Sequence, residues 1–295
     1  MAHAPPLDLA TKDLFRLDGS TVLLSGGCGA VGICVGKSIL ESGGDVLFTD
    51  MLSAPRLEVW HEIESLAKAN GTRATYYQIN VTDAESIAPV FDKIRNGLRY
   101  PIRGLVACAG ISGESDAVDY DINIFRKILD VNITGTFTIV QAVAREMYRA
   151  NVTGSIVLIA SMSGWVTNKG ISTSAYNASK AALHQLTRSL AAEWGHPQNL
   201  FPGSTVSATN PNPPTGPRPI HLPIRVNSLS PGHIDTPIAE AARKRGLTDE
   251  WAKQNMLGRT SNVEEYRAPC LFLLGEGSSF MTGADLRVDG GHCAW

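Results

Sequence analysis

An apolar strand that runs straight into glycines and then into a helix leaves a chain few folds to choose from. Thr21, Val22, Leu23, Leu24 and Ser25 form such a run here, and Gly26, Gly27, Cys28, Gly29, Ala30, Val31 and Gly32 follow it. Glycines let the backbone turn tightly and come close to a ligand that side chains would hold off. The helix opening at this turn, expected to run to about residue 42, aims its positive N-terminus at the same place. The turn therefore predicts a seat for the pyrophosphate of a dinucleotide, with Gly26, Gly29, Val31 and Gly32 lining it.

The rest of the chain keeps this rhythm. Further strands are expected at 45–50, 74–81, 104–109, 154–161, 224–229 and 285–289, and helices at 56–70, 84–96, 122–149 and 175–194. Leu57, Trp60, Ile63 and Leu66 mark the first of those helices by their spacing. The alternation predicts an α/β fold, a single doubly wound parallel sheet with helices on both faces. With 295 residues, 43% of them hydrophobic, one large domain is expected over 18–295 behind an extension at 1–17. One segment, about 197–222, breaks the pattern. Its prolines (Pro197, Pro202, Pro211, Pro213, Pro214, Pro217 and Pro219) preclude a helix or a central strand. It reads as a surface insertion, neutral in preference to a substrate lid.

Asp50 closes the second strand, eighteen residues beyond Gly32. A carboxylate there can accept from both hydroxyls of an adenosine ribose and repels a 2′-phosphate. The turn itself offers no cation, so NAD(H) is expected in preference to NADP(H). The other use for an aspartate at this place is to cap the next helix.

Tyr176 and Lys180 stand four residues apart in an expected helix, hence on one face and one turn apart. A free tyrosine titrates near ~10, and a lysine cation beside it is expected to pull that value down. Such tuning suits general acid–base work on an alcohol or a carbonyl.

Glycine turn and Tyr/Lys pair together resemble the short-chain dehydrogenase/reductase family, the Rossmann-type match running from about residue 18 to 291. Asn80 and Val81 lie in a stretch similar to the family's adenine-binding one, with Asn80 where Asp is usual. Ala109 and Gly110 end a stretch that resembles the floor of the nicotinamide ribose, without its asparagines. Asn132 falls where the family carries a catalytic asparagine. Pro231, Gly232, Ile234 and Thr236 resemble the loop that holds the nicotinamide carboxamide. Ala30 stands where glycine is usual. Within the family, residues 161–164, 176–182 and 189–194 resemble the fungal polyol and ketose reductase branch.

The resemblance implies a hydride exchange between NAD and a secondary alcohol or ketone. Tyr176 would move the proton, Ser161 would donate to the carbonyl oxygen, Lys180 would tune Tyr176 and hold the ribose, and Asn132 would position a water. Two serines compete for the donor role. Ser163 precedes Tyr176 by thirteen residues, the commoner spacing in the family, and Ser161 by fifteen. Ser161 is preferred because it holds the S-x-x-G position at the end of a strand, where residues face the crevice. The expected substrate is a polyol/ketose pair such as arabinitol with ribulose or xylulose. A bulky aromatic or polyketide ketone is the alternative, and a non-catalytic NAD(H) sensor a remote one.

A formal net charge of −2 argues against nucleic acid or an anionic membrane as partner. No apolar run reaches the roughly 18 residues of a membrane span, and residues 1–16 lack a leader pattern. Cys28, Cys34, Cys108, Cys270 and Cys293 lack metal-type spacing and read as reduced thiols, so no metal is expected. A cytoplasmic enzyme follows. A homotetramer, or at least a dimer, is expected because Phe137, Ile139, Val143, Leu183, Leu186 and Leu190 exceed one apolar stripe on two helices, which the resemblance pairs around two-fold axes.

Overall fold

Seven strands hydrogen-bond into one all-parallel sheet in a computed structural model of the protein, which describes residues 8–196, 222–236 and 240–295 (240 and 241 by backbone alone). They are β1 Thr21–Ser25, β2 Asp45–Asp50, β3 Ala74–Gln78, β4 Ile102–Ala107, β5 Gly154–Ile159, β6 Ile224–Pro231 and β7 Asp285–Val288. Their order is β3-β2-β1-β4-β5-β6-β7. The chain thus winds one way from β1 to β3, then returns to lay β4 on the other side of β1. Connections diverge at that reversal, which leaves a crevice beyond the C-terminal ends of β1 and β4.

The helices are α1 Ala30–Glu41, α2 Leu57–Ala69, α3 Ala84–Gly97, α4 Ile122–Leu129, α5 Thr136–Ala150, α6 Ser174–Trp194, α7 Glu240–Lys244, α8 Leu247–Lys253 and α9 Arg267–Leu274. Successive strand residues face opposite sides, so the sheet carries two cores. Leu23, Leu105 and Ile156 meet Ile139 and Val143 of α5 and Leu183 of α6 on one face. Val22, Leu24, Val106 and Val157 meet Ile39 of α1, Ile63 of α2 and Leu273 of α9 on the other. Each such aliphatic side chain, fully buried, contributes roughly 1.5–3 kcal/mol.

Several boundaries differ from the sequence reading, each for a local reason. β3 stops at Gln78 rather than 81 because Asn80 folds the chain into a turn, its Oδ1 accepting from the Thr82 N–H at 3.2 Å. β4 begins at Ile102 and ends at Ala107, two residues early at both ends. The helix expected over 122–149 is interrupted. Between α4 and α5 lies a π turn, Asp130–Gly135, which holds Asn132 wholly buried. Such turns insert one extra residue and re-aim side chains, often at functional sites. Helices α7, α8 and α9 were not foreseen. For α9 a signal was present, since Cys270, Leu273 and Leu274 recur at helical spacing and are all buried.

Four of the six apolar residues that suggested assembly turn out to belong to the protein's own core. Ile139, Val143, Leu183 and Leu190 are buried and Leu186 packs against them, so only Phe137, 39% exposed, presents a large apolar surface outward. The proline-rich segment lies outside the described residues, apart from Leu222. Its anchors do not: α6 ends at Trp194, and β6 begins at Ile224 on the edge of the sheet opposite the crevice.

Candidate active site

The glycine turn is shaped by what cannot fit in it. Gly26 has a positive φ of 64°, and a Cβ there would lie 2.7 Å from the Ala109 nitrogen. At Gly32 a Cβ would come 2.5 Å from the Gly26 oxygen and 2.8 Å from Gly27 Cα. The turn is therefore pressed against the end of β4 and against α1. Gly29 caps α1 with no side chain to satisfy the first N–H groups, and Val31 follows in the first turn. Those free donors and the helix dipole make an anion seat, so the residues present fit a pyrophosphate.

Asp50 sits half-buried beside this seat. Its Oδ2 accepts from the Cys28 N–H at 3.1 Å and its Oδ1 from the Leu52 N–H at 3.4 Å. The turn itself offers no cation, but folding brings one beside it. Arg56, six residues past Asp50, shares a small cleft of about 90 Å³ with Cys28, Phe48, Leu52 and Trp60. No sequence pattern marks Arg56, which the β2–α2 loop simply delivers. At Asn80, Oδ1 accepts from both the N–H and the hydroxyl of Thr82, at 3.2 and 2.8 Å. The one oxygen with which Asn80 could accept from an adenine amino group thus has both lone pairs engaged within its own turn. Val81 is buried behind it, against Gly135, where a Cβ would stand 2.6 Å from Val81 Cγ2.

Gly110, Asn132 and Lys180 come together beyond β4. A Cβ on Gly110 would be 3.3 Å from Asn132 Oδ1 and 3.6 Å from Lys180 Nζ. Asn132 is locked, donating through Nδ2 to the Ile111 oxygen and to Ser179 Oγ, each at 2.9 Å, and accepting from the Ile111 N–H at 2.8 Å. Lys180 Nζ donates to the Ile159 carbonyl at the end of β5, at 2.8 Å, and lies 5.5 Å from the centre of the Tyr176 ring.

Ser161 follows β5 and caps a short 3₁₀ turn, Met162–Gly164, its Oγ accepting from the Ser163 N–H at 3.1 Å. The Ser161 hydroxyl faces the Tyr176 phenol, which stands in the first turn of α6, and favours its ionised form. The Ser163 hydroxyl is engaged elsewhere, with the Asn168 side-chain amide at 2.9–3.1 Å. Of the two serines, then, it is Ser161 that the fold brings to Tyr176. The expected depression of the phenol is not seen. Burial raises Tyr176 above its ordinary value, opposed by the facing Ser161 hydroxyl. The Lys180 ammonium is itself buried, which lowers it to about 8. Desolvation outweighs attraction when both partners leave water.

Pro231 closes β6, and Gly232 donates its N–H to the Val288 oxygen at 3.0 Å. A Cβ at Gly232 would lie 2.8 Å from Asp289 Cα, so glycine is required there. Ile234 bridges to Ser261, and Thr236 is half-buried at the limit of the described loop. Beyond it α7 and α8 reach back across the crevice. Arg245 donates two bonds of 2.9 Å each to Glu114, and Trp251 Nε1 donates to the Lys169 oxygen at 3.2 Å. Glu114 follows β4 and Arg245 follows β6, so the pair spans the end of β5, where Ser161 lies. The segments around it mix polar and apolar groups: Ser172 Oγ donates to Asp116 at 2.9 Å, while Ile111 and Trp165 expose apolar surface. Among the described residues no three His, Cys, Asp or Glu side chains group as metal ligands, and no helix is long and apolar enough to cross a membrane.

Residues 20–212 match the family described as short chain dehydrogenase, and 221–292 the one described as Enoyl-(Acyl carrier protein) reductase. A short-chain dehydrogenase/reductase of Aspergillus versicolor, notP′, is 49% identical over 97% of this chain and 91% of its own length. A ribulose-forming D-arabinitol 2-dehydrogenase of Candida albicans is 32% identical over 95% of each chain. Among solved structures, an NADPH-dependent 3-quinuclidinone reductase from Rhodotorula rubra superposes with a TM-score of 0.83 at 30% identity, covering 100% of this chain and 98% of that one.

Proposed function

The chain belongs to the short-chain dehydrogenase/reductase family and is an NAD(P)-dependent oxidoreductase acting on a secondary alcohol/ketone pair, and we propose that it interconverts a polyol and its ketose with NAD(H). The observation that carries this reading is the Ser161–Tyr176 hydroxyl pair, set beside Lys180 and Asn132 at the C-terminal end of β5. The bound nicotinamide supplies or accepts the hydride. Tyr176 exchanges the proton of the substrate hydroxyl. Ser161 donates to the carbonyl oxygen as charge develops on it. Lys180, anchored on the Ile159 oxygen, holds the ribose, and Asn132 fixes the backbone at Ile111 and a water for proton relay. Gly26, Gly29, Val31 and Gly32 seat the pyrophosphate. Asn80 and Val81 border the adenine, Ala109 and Gly110 the ribose, and Pro231, Gly232, Ile234 and Thr236 the carboxamide.

Two further observations support a small polar substrate. The crevice is bridged over Ser161 by Arg245 and Glu114, and its walls carry Ser115, Asp116 and Ser172. Polar walls favour hydroxylated substrates, because a bulky ketone would leave their groups unpaired. The D-arabinitol 2-dehydrogenase relative agrees with this substrate class. For the cofactor, Asp50 repels a 2′-phosphate whereas Arg56 would attract one. The carboxylate is held by the glycine turn's own Cys28 N–H, and this favours NAD(H).

The test is a panel of ribulose, xylulose, sorbose and bulky cyclic ketones, each with NADH and with NADPH. NADH-linked ketose reduction is expected to lead in kcat/KM. Asp50→Ala should move the NADH/NADPH ratio towards NADPH by tenfold or more, about 1.4 kcal/mol. A wild type that already prefers NADPH would overturn the cofactor assignment, and turnover of bulky ketones alone would overturn the substrate class.

A further inference from the structure

His184 and Asp285 are buried ionisable groups next to the catalytic helix, and the reaction as described uses neither. His184 follows Lys180 by one turn of α6 and is 4% exposed. Its Nε2 lies 2.9 Å from Ser230 Oγ. Ser230 gives its one hydroxyl proton to Asp285 Oδ1 at 2.7 Å, so the imidazole must carry its proton on Nε2 and donate it to Ser230. Ser228 donates to the same carboxylate oxygen at 2.7 Å. Trp165 Nε1 donates to the other oxygen at 2.8 Å.

Trp165 closes the circuit back to α6. Its ring centre is 4.9 Å from that of His184. Gly164, immediately before it, is pressed onto α6. A Cβ at Gly164 would lie 2.7 Å from His184 Cε1 and 2.7 Å from the Lys180 carbonyl carbon. The 3₁₀ turn that Ser161 caps is therefore seated on α6 between Lys180 and His184. The circuit runs from α6 through Ser230 and Asp285 to Trp165, then through the turn to α6 again. Ser230 also directly precedes Pro231 and Gly232 of the carboxamide loop.

We propose that His184 and Asp285 are positioning residues for this reaction, whose buried network holds the Ser161 turn against the Tyr176–Lys180 face of α6. The proposal rests on the reading of Ser161 and Tyr176 as the catalytic hydroxyls. The network is buried at His184 and Ser230 and half-exposed at Trp165; one in which every donor has its acceptor is rigid, and a displacement of about 1 Å at a reacting group can cost on the order of 10²-fold in rate.

The experiment compares His184→Leu, His184→Gln, Asp285→Asn and Tyr176→Phe. For each, kcat and the dissociation constant of the nicotinamide cofactor are measured, the latter by fluorescence. His184→Leu and Asp285→Asn should lower kcat by roughly 10- to 100-fold, with cofactor affinity within about threefold of wild type. His184→Gln, whose amide N–H can reach Ser230, should recover kcat to within about threefold. Wild-type kcat in the Leu and Asn variants overturns the proposal. So does a glutamine as poor as leucine, which would make the loss one of packing, or a parallel loss of cofactor binding. If His184→Leu does not fold, Trp165→Phe keeps an aromatic ring beside His184 and removes the donor to Asp285. It should lower kcat several-fold at unchanged cofactor affinity, and an unchanged kcat overturns the proposal. Tyr176→Phe separates the two levels. Full turnover in that variant overturns the catalytic reading itself, whereas its loss beside an unaffected His184→Leu overturns the positioning role alone.

Discussion

Burial pushes Tyr176 and Lys180 towards neutrality together, raising the phenol and lowering the ammonium to about 8. The consequence for stability has a definite sign. An unfolded lysine titrates near ~10.4, so between about pH 8 and that value the unfolded chain holds a proton that the folded chain has released. The stability contributed at Lys180 therefore rises with pH across this window and is lowest below it. Lys180→Met has no such dependence. Its stability relative to wild type should fall by about 1–3 kcal/mol between pH 7.5 and pH 10, read by urea denaturation at both. A constant difference would show that the ammonium is not depressed. The serine pair makes a second prediction at this scale. Ser161 faces Tyr176 while the Ser163 hydroxyl is engaged by Asn168, so Ser161→Ala should lower kcat by on the order of 10²-fold or more. Ser163→Ala should cost far less, and the reverse order would transfer the donor role to Ser163.

The elements that place the site differ in how they are secured. α6 is long, 21 residues, and packs on β6 along its length, so the Tyr176–Lys180 face is carried on a rigid support. The π turn between α4 and α5 is a local departure that aims Asn132 at Ile111, and Gly135 lets it lie against Val81. At the far end of α6 the chain leaves the sheet for the proline-rich segment and returns at Ile224, a strand's N-terminal end. Strand C-termini carry the crevice, so both anchors lie on the side away from Ser161. Replacing residues 198–219 with a short glycine linker should therefore leave kcat/KM within about threefold and the melting temperature within a few degrees. A collapse of kcat/KM with the melting temperature held would make the segment part of the substrate site.

The whole molecule leaves an apolar surface open at α4 and the start of α5. Ile122, Ile124 and Phe137 are 55%, 50% and 39% exposed, with Val118 at 92% just before them. Exposed apolar side chains on adjoining elements suit an interaction surface, and we propose that copies of the chain associate through this region. Light scattering should give a mass that is a multiple of 31.6 kDa, and Phe137→Glu should lower it; a wild-type mass of one chain would refute the assembly. What the sequence determined by itself is whatever local chemistry and short spacing can specify. The parallel α/β order follows from alternating apolar periods, the anion seat from glycines between β1 and α1, and the shared face of Tyr176 and Lys180 from one helical turn. Tertiary structure alone decided what depends on neighbours distant in the chain. It made Ser161 rather than Ser163 the partner of Tyr176, because the turn after β5 is seated on α6. It raised the phenol instead of lowering it, because burial is a property of the packed site and not of a four-residue spacing. It brought Arg56 beside Cys28 and joined Glu114 to Arg245 over Ser161. It also assigned Ile139, Val143, Leu183 and Leu190 to the core, since a helix lying in a layer between sheet and neighbouring helices buries more than one stripe.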